Sequence, residues 1–103
     1  MYTENELVDV IIPIIQAYPV KRAALFGSYA RNEQTASSDV DLLFDLGVNE
    51  NYPTIDYIYD LLTLIENKIK LRVDYLTLRS LRSAPSEKFK KTVEQESRWF
   101  YEV

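Results

Sequence analysis

The sequence predicts an α/β fold in which helices pack on a small mixed β-sheet. Segments with helical spacing of apolar residues alternate with short apolar segments typical of strands, in the order helix, strand, helix, strand, helix, strand, helix. The chain has 103 residues, of which 47% are hydrophobic and 27% are charged. That size suits one compact core, and no linker, repeat or low-complexity segment interrupts it. We therefore expect a single domain over residues 1–103.

The first helix is predicted over residues 4–18, where apolar side chains fall on one helical face. Pro13 lies inside this segment and cannot donate a backbone hydrogen bond, so we expect it to kink or split the helix. A short buried strand is predicted over residues 21–26. Gly27 and Ser28 follow that strand at once, which indicates a tight turn from the strand into a helix.

That helix is predicted to be short, over residues 28–32, because Asn32 can adopt the left-handed conformation that closes a helix. A second strand is predicted over residues 39–46. Its residues alternate, so that Asp39 and Asp41 face one way and the apolar residues that alternate with them face the other. This strand therefore carries two carboxylates on one side.

The clearest amphipathic helix is predicted over residues 55–69, after a loop over residues 47–53 and with Thr54 as its N-cap. A third strand follows over residues 71–77. It holds Asp74 in its middle, which is an unusual position for an acid.

The C-terminal part is predicted to form a helix and a closing strand. After a turn, Pro85 suits the first position of a helix that runs to about Glu96. The last residues are aromatic enough for a short strand. Three of them, Trp99, Phe100 and Tyr101, either close the core or form a docking surface for a partner.

Composition excludes several kinds of chemistry. The chain has neither Cys nor His, so it has no thiolate nucleophile, imidazole base or metal site built from those ligands. Catalysis would have to rest on carboxylates, hydroxyls, Lys or Arg. A net charge of −4 argues against direct nucleic-acid binding through a basic face. Residues 78–103 nevertheless carry six basic and four acidic side chains, so a basic docking surface there is left open.

The expected location is the cytoplasm. No apolar run approaches the roughly 20 residues that a membrane-spanning helix needs. The N-terminal residues are acidic, where a signal peptide would be basic.

Three acids fall in predicted strands: Asp39, Asp41 and Asp74. A carboxylate without a partner is costly to bury, so each acid needs a reason for its position. Two carboxylates on one strand face, joined by a third from a neighbouring strand, would form the oxygen-rich site that Mg²⁺ prefers. Alternatively, the acids are solvated at strand ends or pair with nearby cations, for which the candidates are Lys21, Arg22 and Arg72.

The Gly27–Ser28 turn is a candidate phosphate site. Glycine permits close backbone approach, free N–H groups at a helix start attract anions, and the Ser28 hydroxyl can donate a further hydrogen bond. Arg31 could point back toward the phosphates or could hold the neighbouring loop through Glu33. Tyr29, beside the turn, is expected to have a supporting role.

These segments combine into one compound motif, which runs from FGSYAR at residues 26–31 through SDVDLL at 38–43 to VDY at 73–75. The combination resembles the signature of the DNA polymerase β-like nucleotidyltransferase superfamily, in which Gly-Ser precedes Asp-x-Asp and a third Asp stands on a later strand. The chain's size and the match of LFGSYAR and SDVDLLF are similar to the minimal nucleotidyltransferase family of bacteria and archaea. Asn32 stands where members often have Gly, and Asn tolerates the same backbone conformation.

The resemblance implies a nucleotidyltransferase fold and transfer of a nucleoside monophosphate, with AMP from ATP as the expected case, to a hydroxyl. It implies that Asp39 and Asp41 bind two Mg²⁺ ions, and that Asp74 completes the metal site and accepts the hydroxyl proton. Gly27 and Ser28 would hold the outer phosphates. No His is needed, because metal coordination lowers the pKa of the attacking hydroxyl.

The resemblance also implies a partner. Larger relatives carry extra domains for their acceptors, for which 103 residues leave no room. Many minimal nucleotidyltransferases are encoded beside a HEPN-domain RNase toxin and act as its antitoxin by adenylylating a toxin tyrosine. Two alternatives stay open: a catalytically silent module that blocks a partner sterically, and a small-molecule nucleotidyltransferase whose pocket is completed in a homo-oligomer.

Overall fold

The computed structural model describes residues 2–47 and 55–103, and within them four helices and four strands. Their bounds are α1 Glu4–Ile15, β1 Arg22–Phe26, β2 Val40–Asp45, α2 Ile55–Ile69, β3 Val73–Thr77, α3 Leu78–Arg82, α4 Glu87–Glu96 and β4 Arg98–Glu102. The predicted mixture of helices and strands is confirmed. Within the described ranges, every helix is too short or too polar to cross a membrane.

The four strands form one mixed sheet in the order β3-β2-β1-β4. Strand β1 pairs antiparallel with both β2 and β4, whereas β2 and β3 are parallel. Two pairings matter for the site. In the antiparallel pair Phe26 lies opposite Asp41, and in the parallel pair Asp41 lies beside Asp74.

Each face of the sheet packs on its own pair of helices. One face joins α1 and α2 in the larger core, whose sheet residues are Ala23, Leu25, Val40, Leu42, Phe44 and Val73. The other face packs on α3 and α4 in a smaller core made by Ala24, Leu43, Leu81 and Val93. Because strand side chains alternate, the residues between those of the larger core face α3 and α4.

Helix α1 begins as predicted, with Thr3 and Glu6 forming a reciprocal capping box. It ends at Ile15, three residues earlier than predicted, and Pro13 lies within its last turn without ending it. The helix is not split at Pro13: it loses the hydrogen bond to the Asp9 carbonyl, and only two helical residues follow the proline. The predicted loop over 47–53 and the Thr54 N-cap lie, except for Gly47, outside the described residues.

The short helix predicted over residues 28–32 is wrong. The segment forms a turn, in which the Arg31 N–H donates to the Gly27 carbonyl at 3.1 Å and the Glu33 N–H donates to the Ser28 carbonyl at 2.9 Å. Asn32 takes the predicted left-handed conformation, with φ of 57°. That conformation stops the helical path after one turn.

The C-terminal prediction needs one correction and one addition. Residues 78–82, predicted as a turn, form helix α3, whose N-cap is Thr77. Pro85 is not the first residue of α4, because the Ser86 hydroxyl caps that helix by accepting from the Phe89 N–H at 3.1 Å. The predicted end at Glu96 and the closing strand are confirmed.

Two of the three residues in the Trp99–Tyr101 aromatic run follow the core alternative. Phe100 and Tyr101 pack against the larger core, whereas Trp99 remains 42% exposed. The guanidinium of Arg22 lies 4.2 Å from the centre of the Trp99 ring. A bulge in the β1–β4 pairing breaks strict alternation, which lets two consecutive aromatic residues reach the same core.

Candidate active site

A polar recess of about 380 Å³ opens where β1 ends against β2. Three parts of the chain line it: the turn after β1, the start of β2 and one side of α4. Its lining residues from the first two parts are Phe26, Gly27, Ser28, Arg31, Ser38, Asp39 and Asp41, and those from α4 are Phe89, Thr92, Val93 and Glu96. The structure therefore brings Gly27, Ser28 and Arg31 together with Asp39 and Asp41.

Gly27 lies directly against the Asp41 carboxylate. Its φ is +73°, and a Cβ atom added there would collide with Asp41 Oδ2. The contact follows from the sheet, because Phe26 pairs with Asp41 and the chain turns immediately afterwards. Only glycine combines this backbone conformation with so close an approach.

The loop before β2 positions Asp39 beside the turn. The Thr35 N–H donates to Ser38 Oγ at 2.8 Å, which fixes the loop immediately before Asp39. At the same level the Val40 N–H donates to the Arg72 carbonyl at 2.9 Å, which ties the start of β2 to β3. The backbone that carries Asp39 and Asp41 is therefore held by hydrogen bonds both before and after Asp39.

Two of the three predicted acids, Asp41 and Asp74, project from one face of the sheet, and Asp39, immediately before β2, lines the recess together with Asp41. Asp41 alternates with Val40 and Leu42, which belong to the larger core, and Asp74 alternates with Val73 and Tyr75 on the same side. Asp41 and Asp74 therefore project from the sheet face opposite the larger core. The predicted alternation of both strands is confirmed.

Asp41 has a strongly perturbed pKa. Burial, reinforced by the negative charges of Asp74 and Asp39, raises the pKa of Asp41 from 3.8 to about 6. The positive charge of Arg31 opposes this rise, and Glu96 adds to it. Perturbed carboxylates in a cleft are typical of functional sites.

Asp74 lies near the recess but does not line it. Its side chain is 54% exposed, and its Oδ1 lies 4.0 Å from Arg72 Nε, the limit of an ion pair. It borders a separate hollow beside α2, together with Tyr59, Thr63 and Glu66. In the described parts of the chain no three acids are grouped closely enough to hold a metal ion in their present conformations.

The acids nevertheless have the chemistry that a divalent cation requires. Among the described residues, Asp39 and Asp41 have no side-chain hydrogen bond or ion pair, unlike Asp45, whose Oδ2 accepts from Arg22 Nε at 3.0 Å. Half-buried carboxylates that repel one another and lack a cationic partner suit a hard cation with oxygen ligands. The chemistry of this donor set suits Mg²⁺, whereas the present spacing of the described acids does not form a metal site.

Arg31 adopts the structural alternative considered for it. Its Nε donates to Glu33 Oε1 at 2.6 Å and its Nη1 donates to Glu96 Oε1 at 2.9 Å. These hydrogen bonds raise the pKa of Arg31. Arg31 therefore links the turn to α4 while it lines the recess.

The α4 wall was missed by the sequence predictions. Phe89, Thr92 and Glu96 lie more than 45 residues after Asp41 in the sequence, yet they line the same recess. The spacing of Phe89 and Val93 indicates a helical face, but it does not indicate which side of the sheet that face covers.

Comparison with known proteins gives a consistent family. Residues 8–100 match the family described as the nucleotidyltransferase domain. A predicted protein adenylyltransferase of Methanocaldococcus jannaschii is 42% identical over 66 residues, which cover 64% of this chain and 65%, just under two thirds, of that relative. Another from the same organism is 31% identical over 102 residues, which cover 93% of this chain and 96% of the relative. Protein adenylyltransferase MntA of Thermococcus cleftensis is 35% identical over 66% of each chain.

Solved structures share the fold. A predicted minimal nucleotidyltransferase superposes with a TM-score of 0.68 at 24% identity, covering 94% of this chain and 95% of that one. An antitoxin of the minimal nucleotidyltransferase type, in complex with a tri-AMPylated HEPN toxin of Shewanella oneidensis, gives a TM-score of 0.66 at 17% identity, over 98% of this chain and 74% of that one. A toxin–antitoxin structure with AMP-PNP gives 0.67 at 21% identity, over 93% and 73% of the two chains.

Proposed function

This chain belongs to the nucleotidyltransferase domain family and is a nucleotidyltransferase, and on this premise we propose that it transfers AMP from ATP to a hydroxyl of a partner protein. The acceptor is a tyrosine of a HEPN-type RNase toxin, which the modification neutralises, so the protein acts as an antitoxin. The adenylyltransferase names of the relatives and the AMPylated HEPN toxin bound to a structural neighbour support this choice.

The observation that carries the proposal is the contact between the Gly27 turn and the Asp41 carboxylate. A phosphoryl-transfer site must hold negatively charged phosphates beside carboxylates, which repel them unless cations lie between the two groups. Backbone N–H groups of a glycine turn against paired acids supply the two halves of such a site.

Gly27 and Ser28 hold the outer phosphates in this proposal, while Asp39, Asp41 and Asp74 hold two Mg²⁺ ions. When bound, the ions stabilise the charge on the entering and leaving oxygens and lower the pKa of the attacking hydroxyl. The chain's own groups set the direction of attack in this proposal, because the Gly27 turn follows the end of β1 and Asp74 lies two strands away on the edge strand β3.

The position of Asp74 suits the acceptor side of the reaction. Strand β3 is at the sheet edge, and the Asp74 side chain is 54% exposed. A tyrosine from another protein can therefore reach it without entering the core. Asp74 accepts the tyrosine proton as the oxygen attacks the α-phosphate, and pyrophosphate leaves on the side of Gly27 and Ser28.

The direct test incubates the purified chain with α-labelled ATP, Mg²⁺ and a candidate HEPN-domain partner protein. We expect the label to move to the HEPN protein, mass spectrometry to locate AMP on a tyrosine, and toxin RNase activity to fall. Asp41→Asn should abolish all three effects. Asp60→Asn, an exposed acid on α2, is the matched control and should retain them.

Two results would contradict the proposal. If Asp41→Asn binds and neutralises the toxin as well as the unchanged protein does, the chain is a steric inhibitor. If pyrophosphate is released at full rate with a small-molecule acceptor and without a protein acceptor, the chain is a small-molecule nucleotidyltransferase.

A further inference from the structure

Phe89 is a large apolar side chain that the protein core does not use. It is 42% exposed, and it lies on α4 one turn before Val93, which is 2% exposed and belongs to the smaller core. Two aromatic residues line the recess. Phe26 packs against the smaller core, whereas Phe89 is among the exposed large hydrophobic residues. Its ring is therefore available to a ligand.

The backbone beneath Phe89 is held in place. Its N–H donates to the Ser86 hydroxyl at 3.1 Å, which caps the start of α4. Val93 anchors the middle of the helix, and Glu96 fastens its end to Arg31 at 2.9 Å. Because α4 is held at these three points, it loses little conformational entropy when a ligand packs against Phe89.

The recess combines two chemistries that a nucleoside triphosphate also combines. The Gly27 turn and the acids suit phosphates and their cations, and the Phe89 ring suits a flat aromatic group. We infer that Phe89 stacks against the nucleobase of the bound nucleoside triphosphate. This inference rests on the proposed function, and it assigns α4 to the nucleotide-binding site.

Stacking on Phe89 supports affinity without selecting one base. Every nucleobase has a π-face, so a stacking platform tolerates all four and favours the larger purines. The Thr92 hydroxyl, also in the recess, donates to the Lys88 carbonyl at 2.9 Å, so this donor is already engaged. Phe89→Ala should therefore weaken binding of all four nucleoside triphosphates.

The experiment measures equilibrium binding of three probes in the presence of Mg²⁺: ATP, its fluorescent analogue etheno-ATP, and inorganic tripolyphosphate, which lacks the base. We expect Phe89→Ala to weaken ATP binding roughly tenfold or more, the usual effect of losing an aromatic stack. Tripolyphosphate binding should be unchanged. Etheno-ATP fluorescence should be quenched by the unchanged protein and much less by the variant.

Two further variants control for folding. Phe89→Trp keeps an aromatic ring and should retain both ATP affinity and quenching. Leu64→Ala removes a side chain that is 49% exposed on α2, away from the recess, and should leave binding of all three probes unaltered.

The outcomes separate this inference from the function on which it rests. If the unchanged protein binds ATP and Phe89→Ala binds it equally well, the stacking role is wrong and the proposed function stands. If Phe89→Ala lowers transfer to the HEPN protein but not ATP binding, Phe89 contacts the acceptor and the inference is again wrong. If the unchanged protein binds neither ATP nor tripolyphosphate, both proposals fail.

Discussion

Asp41 occupies a position that lowers the stability of the fold and suits a functional site. It lies on the central part of the sheet, half-buried, close to two other acids and pressed against the Gly27 turn. Its negative charge is destabilising when no cation is bound, which is a cost that functional sites often carry.

This cost predicts a pH dependence. Folding raises the pKa of Asp41 from 3.8 to about 6, so the folded protein retains a proton in that window that the unfolded chain has lost. The contribution that protonated Asp41 makes to the free energy of unfolding is fully present below pH 3.8, and it is lost as the pH rises through about 6. At neutral pH and without divalent cations, Asp41→Asn should raise the free energy of unfolding by about 1 kcal/mol, a value reduced for partial exposure.

Urea unfolding of the unchanged protein and of Asp41→Asn across this pH range measures the effect. The difference between their free energies of unfolding isolates the contribution of Asp41 from those of other groups. Asp45 acts in the opposite direction: burial opposes its ionisation, but hydrogen bonds from the Gly47 N–H and Arg22 outweigh burial and lower the pKa of Asp45. A stability difference between the two proteins that stays constant with pH would contradict the assigned cause.

Gly27 offers a second prediction at the scale of the residue. Gly27→Ala places a methyl group against Asp41 Oδ2, so it should lower transfer at least about a hundredfold by displacing the carboxylate or the turn. Gly47→Ala is a matched control, since its φ is +62° but the nearest atom, Lys21 Cδ, is an ordinary 3.5 Å away. Both changes should cost roughly 1–2 kcal/mol for backbone strain. Equal transfer rates for the two variants would show that close approach at Gly27 is unimportant.

At the scale of the elements, the edge strand β3 depends on helix α2. The Val73 N–H, one residue before Asp74, donates to Glu66 Oε2 at 2.9 Å. Glu66→Ala should leave that partly buried N–H without its acceptor and cost about 1–2 kcal/mol. Asp60→Ala, an exposed change on the same helix, should stay within about 0.5 kcal/mol.

Transfer activity should follow this loss of order. Because Asp74 is the next residue of β3, Glu66→Ala should lower transfer more than nucleotide binding, which depends on β1, β2 and α4 in our proposal. Thermal unfolding and single-turnover transfer measure the two effects. Equal loss of nucleotide binding and transfer would indicate general damage to the fold.

At the scale of the whole molecule, the proposed cation binding would be coupled to folding. A cation that binds the folded state alone, at a hundredfold excess over its Kd, should raise the free energy of unfolding by about 2.7 kcal/mol. At a pH well above the pKa of Asp41, we expect Mg²⁺ to raise the Tm of the protein. At a pH below that pKa, Mg²⁺ should have much less effect on the Tm, because protonation of Asp41 competes with metal binding. Asp41→Asn should show little increase at either pH, and a full increase in that variant would place the ion elsewhere.

The sequence by itself determined the alternation of β2 and β3, and hence the face on which Asp41 and Asp74 lie, because strand side chains have a fixed period of two. The sequence also determined the left-handed backbone conformation of Asn32, because asparagine adopts that conformation more readily than most residues. It did not determine which helices cover that face, since helical periodicity carries no information about the partner surface. Only the tertiary structure placed Phe89 and Glu96 in the recess and paired Arg31 with Glu96. Such contacts join distant parts of the chain, and their geometry depends on packing of the whole molecule.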